Sequence, residues 1–409
     1  MSDPKFDLVI FGATSFVGEI TADYMLDKYG ADGPVRWAVA GRSEAKLAKL
    51  KETLGSAAND LPTILANSDD EASLEAMCDQ TRLVISTVGP YALYGDTLVK
   101  VCAASGTHYC DLTGETQWIA AMQEAHEDAA KKSGALIVHS CGFDSIPSDM
   151  GVHFLQEQIS QEFGQTCEKV EMGVQAAKGG LSGGTAASLI NVLKEAQADP
   201  SLRKKLADHY LLCPEGHCFT AKQEERARYY SDALESWCAP FVMAAINTRN
   251  VHRSNALQDN RYGANFRYSE YTMTGDGFKG SLGSIGMTVG MGAFIGVLAL
   301  GPTRSLAEKF LLPKPGEGPS PEDQKNGFYK LLFAGTLPGG EVRRVRVTGD
   351  RDPGYGSTAK MLAEAALCIL DTAEGGEAKG GFWTPSSLMG GALRKRLSEN
   401  AGLTFEVVQ

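Results

Sequence analysis

The run Gly12-Ala-Thr-Ser15-Phe-Val-Gly18 follows an apolar stretch, Phe6 to Phe11, and precedes residues of helical periodicity. Glycines at these points commit the chain to a strand, a sharp turn and a helix packed back on that strand. Gly12 lets the backbone leave the strand abruptly, and Gly18 lets the helix come close. The amides at the helix start, together with its dipole, then form a seat for a pyrophosphate. Ser15 stands where a middle glycine is usual; its hydroxyl can bond phosphate, while its Cβ narrows the space. This pattern predicts a dinucleotide-binding unit of a nicotinamide or flavin enzyme, with Gly12, Thr14, Ser15, Phe16, Val17 and Gly18 around the phosphates.

The next strand, Val35 to Ala40, runs into Gly41-Arg42-Ser43. An acidic residue at this point would bond the ribose 2′-hydroxyl of NAD, whereas an arginine pairs with the 2′-phosphate of NADP. No acid precedes Arg42 in this loop. NADP(H) is therefore the expected cofactor, with Ser43 as a second phosphate donor and helix N-cap; the alternative for Arg42 is a solvated surface side chain.

Strands and helices continue to alternate through the first third of the chain, which predicts an α/β domain. Glu44–Leu54 reads as a helix, 62–66 as a short strand, Asp70–Cys78 as a helix and 82–87 as a strong fourth strand. Asp69 is expected either beside the adenine or as a plain helix cap. The turn-rich segment from Val88 to Gly95 follows, at the carboxyl edge where open α/β sheets bind ligands. Thr87 and Gly89 are expected to touch the cofactor. A helix (96–104), a strand and turn (107–115), the long helix Thr116–Ser133 and a sixth strand (135–139) complete the pattern. Residues 140–149 then lead into a helix near Pro147 and a second domain.

The 409 residues are enough for two domains with sizeable cores. A formal charge of −11 without a basic run argues against a nucleic-acid partner. Nine cysteines in no regular spacing suit a reducing compartment, and the strand begins almost at Met1, so a cytoplasmic location is expected.

Several motifs together resemble the saccharopine dehydrogenase-like oxidoreductases. They are Gly12 to Gly18, Ala40-Gly41-Arg42, Val88-Gly89-Pro90-Tyr91 with Tyr94-Gly95, Tyr109 to Glu115, and Cys141-Gly-Phe-Asp144-Ser-Ile-Pro147-Ser-Asp149. Later runs fit too: Lys178-Gly-Gly180 with Ser182 to Thr185, Gly349 to Thr358, and Thr384-Pro385 with Gly390. The resemblance is greatest to the branch holding mycobacterial trans-acting enoyl reductases and the animal saccharopine dehydrogenase-like protein of lipid droplets. It implies a Rossmann NADP(H)-binding domain over 1–146 and an α+β domain with a mixed sheet over 147–350. A C-terminal segment, 351–409, is implied to return to the first domain. True saccharopine reductases carry Asp-Pro-Gly where this chain has Asp144-Ser145-Ile146-Pro147, a departure that counts against a lysine-pathway substrate.

Reduction by a nicotinamide needs a proton donor near the developing anion. Tyr91, Tyr109 and Asp144 are the candidate catalytic residues, with Tyr94, Asp111 and Ser145 also on the expected cofactor side. For each tyrosine the alternative is an aromatic packed under the nicotinamide with its hydroxyl on a backbone carbonyl; for Asp144 it is a helix cap. Cys141 reads as a small buried hydrophobe. Cys213, His217 and Cys218 lack a second cluster, so no metal is expected. Gly180-Leu-Ser182-Gly-Gly184 has the Gly-x-Ser-x-Gly spacing, but no elbow supporting nucleophilic serine catalysis is expected; Leu181 to Thr185 reads instead as a turn into the helix Ala186–Ala196.

From Leu282 to Leu300 nineteen residues pass without a charge. A span is excluded by the flanks, which look like parts of one fold. The segment is expected to pack in the core, to line a pocket for an acyl chain, or to dock on a lipid surface as a peripheral membrane contact. Strands are expected over 328–333 and 341–348, a long helix over 355–371 and an edge strand over 405–408. The expected partner is a small-molecule, acyl-chain substrate, with a homodimer also open. The function classes are an NADP-dependent reductase of a conjugated enoyl thioester or other lipid-like substrate, a saccharopine-type imine reductase, and a lipid-associated nucleotide-binding scaffold.

Overall fold

The computed structural model describes residues 4–180, 183–310, 312–313 and 317–408. The chain forms two compact units, one from residues up to 143 together with 355–401, the other from 144–354 together with the residues from 402 on.

In the first unit β1 (Phe6–Phe11), β2 (Trp37–Gly41), β3 (Thr63–Leu65), β4 (Thr81–Ser86), β5 (His108–Asp111) and β6 (Leu136–Val138) form a parallel sheet. A parallel sheet carries helices on both faces, which is why residues 8–11 of β1 and 83–85 of β4 are apolar and buried without alternation. The strand order is β3-β2-β1-β4-β5-β6, so the direction of winding reverses between β1 and β4, the place where such sheets bind nucleotides. A further parallel strand, Gly381–Trp383, joins beside β6 from far along the chain. The returning segment also supplies the helix Thr358–Glu374, whose Glu364 is fully enclosed. That carboxylate accepts hydrogen bonds from Tyr24 (2.7 Å) and Tyr29 (2.6 Å) and pairs with Arg396 Nε at 2.7 Å. Two tyrosines of the first helix, Phe16–Tyr29, thus tie it to the returning segment, within which Arg396 balances the same carboxylate.

The long helix expected from Tyr355 starts at Thr358, because Pro353–Ser357 adopts a wider π-helical turn. Thr116–Ser133 is helical as expected, and Tyr91–Tyr94 forms a helical turn where a loop was expected.

The second unit is built on β7 (Lys169–Lys178), β8 (Tyr229–Ser231), β9 (Ser236–Pro240), β10 (Arg267–Met273), β11 (Phe328–Thr336) and β12 (Val342–Gly349). The last strand, Leu403–Val408, pairs antiparallel with β12 and forms the edge of this sheet. β7 and β10 run parallel and the other pairs antiparallel, giving the mixed sheet of an α+β unit. The helix Ile146–Phe163 packs on β11 and β12. A second helix, Ala244–Leu257, is buried although its residues are largely polar. The apolar stretch forms the helix Gly277–Ala299, of which only Gly280, Ser284 and Leu298 are buried; it does not pack in the core. The helix Gly183–Ala198 is present, while Leu181 and Ser182 of the expected turn lie outside the described residues.

Candidate active site

The pyrophosphate turn leaves β1 at Gly12, whose φ of 83° is in the left-handed region that glycine tolerates best. A Cβ at Gly12 would stand 2.6 Å from Val88 Cγ2 and 2.9 Å from Thr87 Oγ1. At Gly18 it would stand 2.3 Å from the carbonyl oxygen of Gly12. Both glycines are therefore required by close backbone approach. Ser15 caps the helix Phe16–Tyr29: its Oγ accepts from the Gly18 amide at 3.0 Å and donates to Thr87 Oγ1 at 3.0 Å. Thr87 in turn donates to the Gly12 carbonyl at 2.9 Å. The serine hydroxyl thus braces the turn from within, tying β1 to the end of β4. The amides of Phe16 and Val17, the first of the helix, have no acceptor within the described protein, and the turn is partly exposed. Two free donors at a positive helix end fit a pyrophosphate.

The second loop lies beside the first. Gly12 and Ala13 donate their amides to the Ala40 carbonyl at 3.0 and 3.2 Å. Arg42 is exposed and makes no hydrogen bond or ion pair with the described residues, so its guanidinium is available to a 2′-phosphate. Ser43 caps the helix Glu44–Leu54, accepting from the Lys46 amide at 3.4 Å. The cap of the helix Glu71–Cys78 is Asp70; Asp69 is not a cap. Gly89 is exposed next to Thr87.

The two candidate tyrosines are both buried. Tyr91 donates its hydroxyl to the Ser86 carbonyl at 2.9 Å, and Tyr109 donates to Asp111 Oδ2 at 2.9 Å. Burial first, and the Asp111 charge second, hold both phenols well above their ordinary range. Asp111 is the centre of this region: besides Tyr109 it holds His139 Nδ1 at 2.6 Å and accepts from the amides of Thr113 and Ser140 at 3.0 Å each. Glu115, the last residue of the Tyr109 to Glu115 motif, accepts from the Tyr91 and Ala92 amides at 2.9 and 3.0 Å and so caps the turn Tyr91–Tyr94. Cys141 is fully buried.

Asp144 opens the second unit. It does not cap the helix Ile146–Phe163, whose cap residue is Ser145. Its Oδ1 is enclosed and has no hydrogen-bond partner among the described residues. Burial, reinforced by the nearby Glu270 charge, pushes its carboxyl up to about 7. Burial pushes Glu270 up to about 7 as well, opposed by hydrogen bonds from Asn247 (2.8 Å) and Tyr268 (2.7 Å). Asn247, Tyr268 and Glu270 are separated in sequence and lie in no recognisable motif, so only the fold brings them together.

The saccharopine dehydrogenase NADP-binding domain family matches residues 8–138. A Mycobacterium tuberculosis protein provisionally named a trans-acting enoyl reductase is 37% identical, covering 99% of this chain and 98% of its own. The trans-acting enoyl reductase of Mycobacterium ulcerans is 34% identical over 97% of this chain and 96% of its own. Among solved structures, apo saccharopine dehydrogenase (L-Glu forming) of Saccharomyces cerevisiae shares the fold, with a TM-score of 0.55 at 13% identity over 99% of this chain and 100% of its own. The chain thus belongs to the saccharopine dehydrogenase-like family, in the branch of the trans-acting enoyl reductases, and is an NADP(H)-dependent oxidoreductase.

Proposed function

We propose that this oxidoreductase reduces the carbon–carbon double bond of an α,β-unsaturated acyl thioester. What carries the reading is a phosphate turn with an unpaired Arg42 in a chain alike over its full length to proteins named enoyl reductases. When bound, NADPH supplies the hydride for the β carbon. The amides of Phe16 and Val17 hold the pyrophosphate, Ser15 and Thr87 keep the turn rigid, and Arg42 takes the 2′-phosphate.

A proton must also reach the α carbon. Tyr91 and Tyr109 have their hydroxyls committed to Ser86 and Asp111, which suits bracing more than proton transfer. Asp144 is the better candidate donor, because its carboxyl holds a proton close to neutral pH and has no hydrogen bond to the described residues. An imine acceptor with several carboxylates would need grouped cations. The two buried arginines of the second unit, Arg249 and Arg253, instead donate to the carbonyls of Leu206 and Leu212 at 2.9 and 2.6 Å.

The test is NADPH oxidation followed at its absorbance on adding a series of 2-enoyl thioesters, in parallel with imines formed from amino and oxo acids. Turnover with thioesters alone is expected. Turnover with imines alone, or with neither despite NADPH binding, would remove the proposal.

A further inference from the structure

A helix that is apolar on every side is stable inside a core or in lipid, and water is the wrong surrounding for it. Gly277–Ala299 is such a helix, and it is not in a core. Phe278 (82% exposed), Leu282, Met287, Val289 (66%), Phe294 and Ile295 all face outward. Phe278 and Met287 are nine residues apart, about two and a half turns, and so point to opposite sides. The helix is anchored at its first half, where Arg228 Nε donates to Ser284 Oγ at 2.8 Å and Thr288 Oγ1 donates to the Ala227 carbonyl at 3.1 Å. Beyond that only Leu298 is buried, and Val289, Phe294, Ile295 and Val297 stay exposed.

The chain then turns into the helix Gly301–Phe310, whose Leu306 and Phe310, four residues apart, are also exposed. Cations surround this end. Arg304 and Lys309 lie on the returning helix. The side chain of Gln197 donates to the Ala299 carbonyl, which brings the helix Pro200–Leu206, with exposed Arg203, Lys204 and Lys205, to the same place. Two acids of this stretch accept hydrogen bonds within the chain, Asp199 from the Ser201 amide at 2.8 Å and Glu195 from Asn191 at 2.7 Å.

Topology decides how such a hairpin can meet a bilayer. β10 precedes it and β11 follows it, and both flank β7 in one sheet. The chain therefore leaves and re-enters on the same side, which excludes a single crossing. A second copy of this chain would cover one side of the helix and leave the opposite side wet, whereas lipid can cover both.

We propose that Gly277–Phe310 is a monotopic docking hairpin whose apolar helix Gly277–Ala299 enters the acyl region of one leaflet of an anionic bilayer, with Gly301–Phe310 at the headgroup boundary. Arg203, Lys204, Lys205 and Lys309, all exposed, meet the lipid phosphates. This holds whichever acceptor is reduced.

The full chain is mixed with vesicles of phosphatidylcholine containing phosphatidylglycerol, and with phosphatidylcholine alone, then sedimented; NADPH binding is measured on every variant. Expected is partition onto the anionic vesicles that weakens with salt. The pair Val289→Glu and Phe294→Glu should lower it by at least about tenfold with NADPH affinity unchanged. Reversing Arg203, Lys204 and Lys205 to Glu should cost roughly a hundredfold or more on anionic vesicles. The proposal is overturned if the wild-type chain stays in the supernatant at low salt, or if either set of variants binds as the wild type does. It is overturned equally if vesicles are ignored and the two glutamates instead dissociate a dimer seen by ultracentrifugation.

Discussion

Gly18 leaves no room for a side chain, since a Cβ there would lie 2.3 Å from the Gly12 oxygen. Gly18→Ala should cost about 1–3 kcal/mol as the turn and helix are forced apart, seen as a lower unfolding midpoint together with weaker NADPH binding. Asp144 provides a pH test. Its carboxyl ordinarily titrates at 3.8 and is raised to about 7 in the fold, so the folded chain binds the proton more tightly than the unfolded chain. Its contribution to stability is complete below the unfolded value and is lost as pH rises through about 7. Urea unfolding at pH 5 and pH 8 should therefore show a larger loss in the wild-type chain than in Asp144→Asn, with a residual slope from Glu270, which is raised in the same direction. If Asp144 donates the proton, kcat/KM should fall above about pH 7, and Asp144→Asn should remove that limb and lower the rate by about 10²–10⁴. Because the Glu270 charge helps to raise Asp144, Glu270→Gln should move the limb to lower pH. An unmoved limb would assign the titration to another group.

Among the elements, the strand-turn-helix at residues 6–29 is legible because each local requirement agrees: apolar strand, left-handed glycine, capping serine, close-packing glycine. Ser15→Ala should cost about 1 kcal/mol through the lost cap, measured by thermal unfolding, with a further loss if Thr87 is left without its donor. Other elements were legible only in outline. The cap at Asp70, where Asp69 was also open, is a matter of one residue that composition does not resolve. The helix Ala244–Leu257 reads as polar and yet is buried, because its arginines and asparagines find partners on segments remote in sequence, such as the Leu206 carbonyl for Arg249. The exposure of Gly277–Ala299 was hidden for the opposite reason: an uncharged run looks the same whether protein or lipid covers it.

At the scale of the whole molecule, the first unit is discontinuous, and local periodicity carries no information about which distant strand pairs with which. The helix Thr358–Glu374 and the strand Gly381–Trp383 complete a unit that begins near residue 4. A chain cut after Gly354 should consequently lose NADPH binding and cooperative unfolding of that unit, as read by calorimetry; retained binding would mean that residues 4–143 fold alone. The family and cofactor class were legible because the phosphate turn and the Arg42 loop are contiguous motifs, while the acid pair of the second unit was not. The most direct measurement is a calorimetric titration of NADPH and NADH into the wild-type chain and into Arg42→Glu. The wild-type chain should prefer NADPH, and the variant should lose roughly 10–100-fold of its NADPH affinity, the worth of a charge-assisted contact of about 1.5–3 kcal/mol, while NADH binding is little changed. Equal affinity for the two coenzymes in the wild-type chain, or a preference untouched by charge reversal at Arg42, would contradict the assignment.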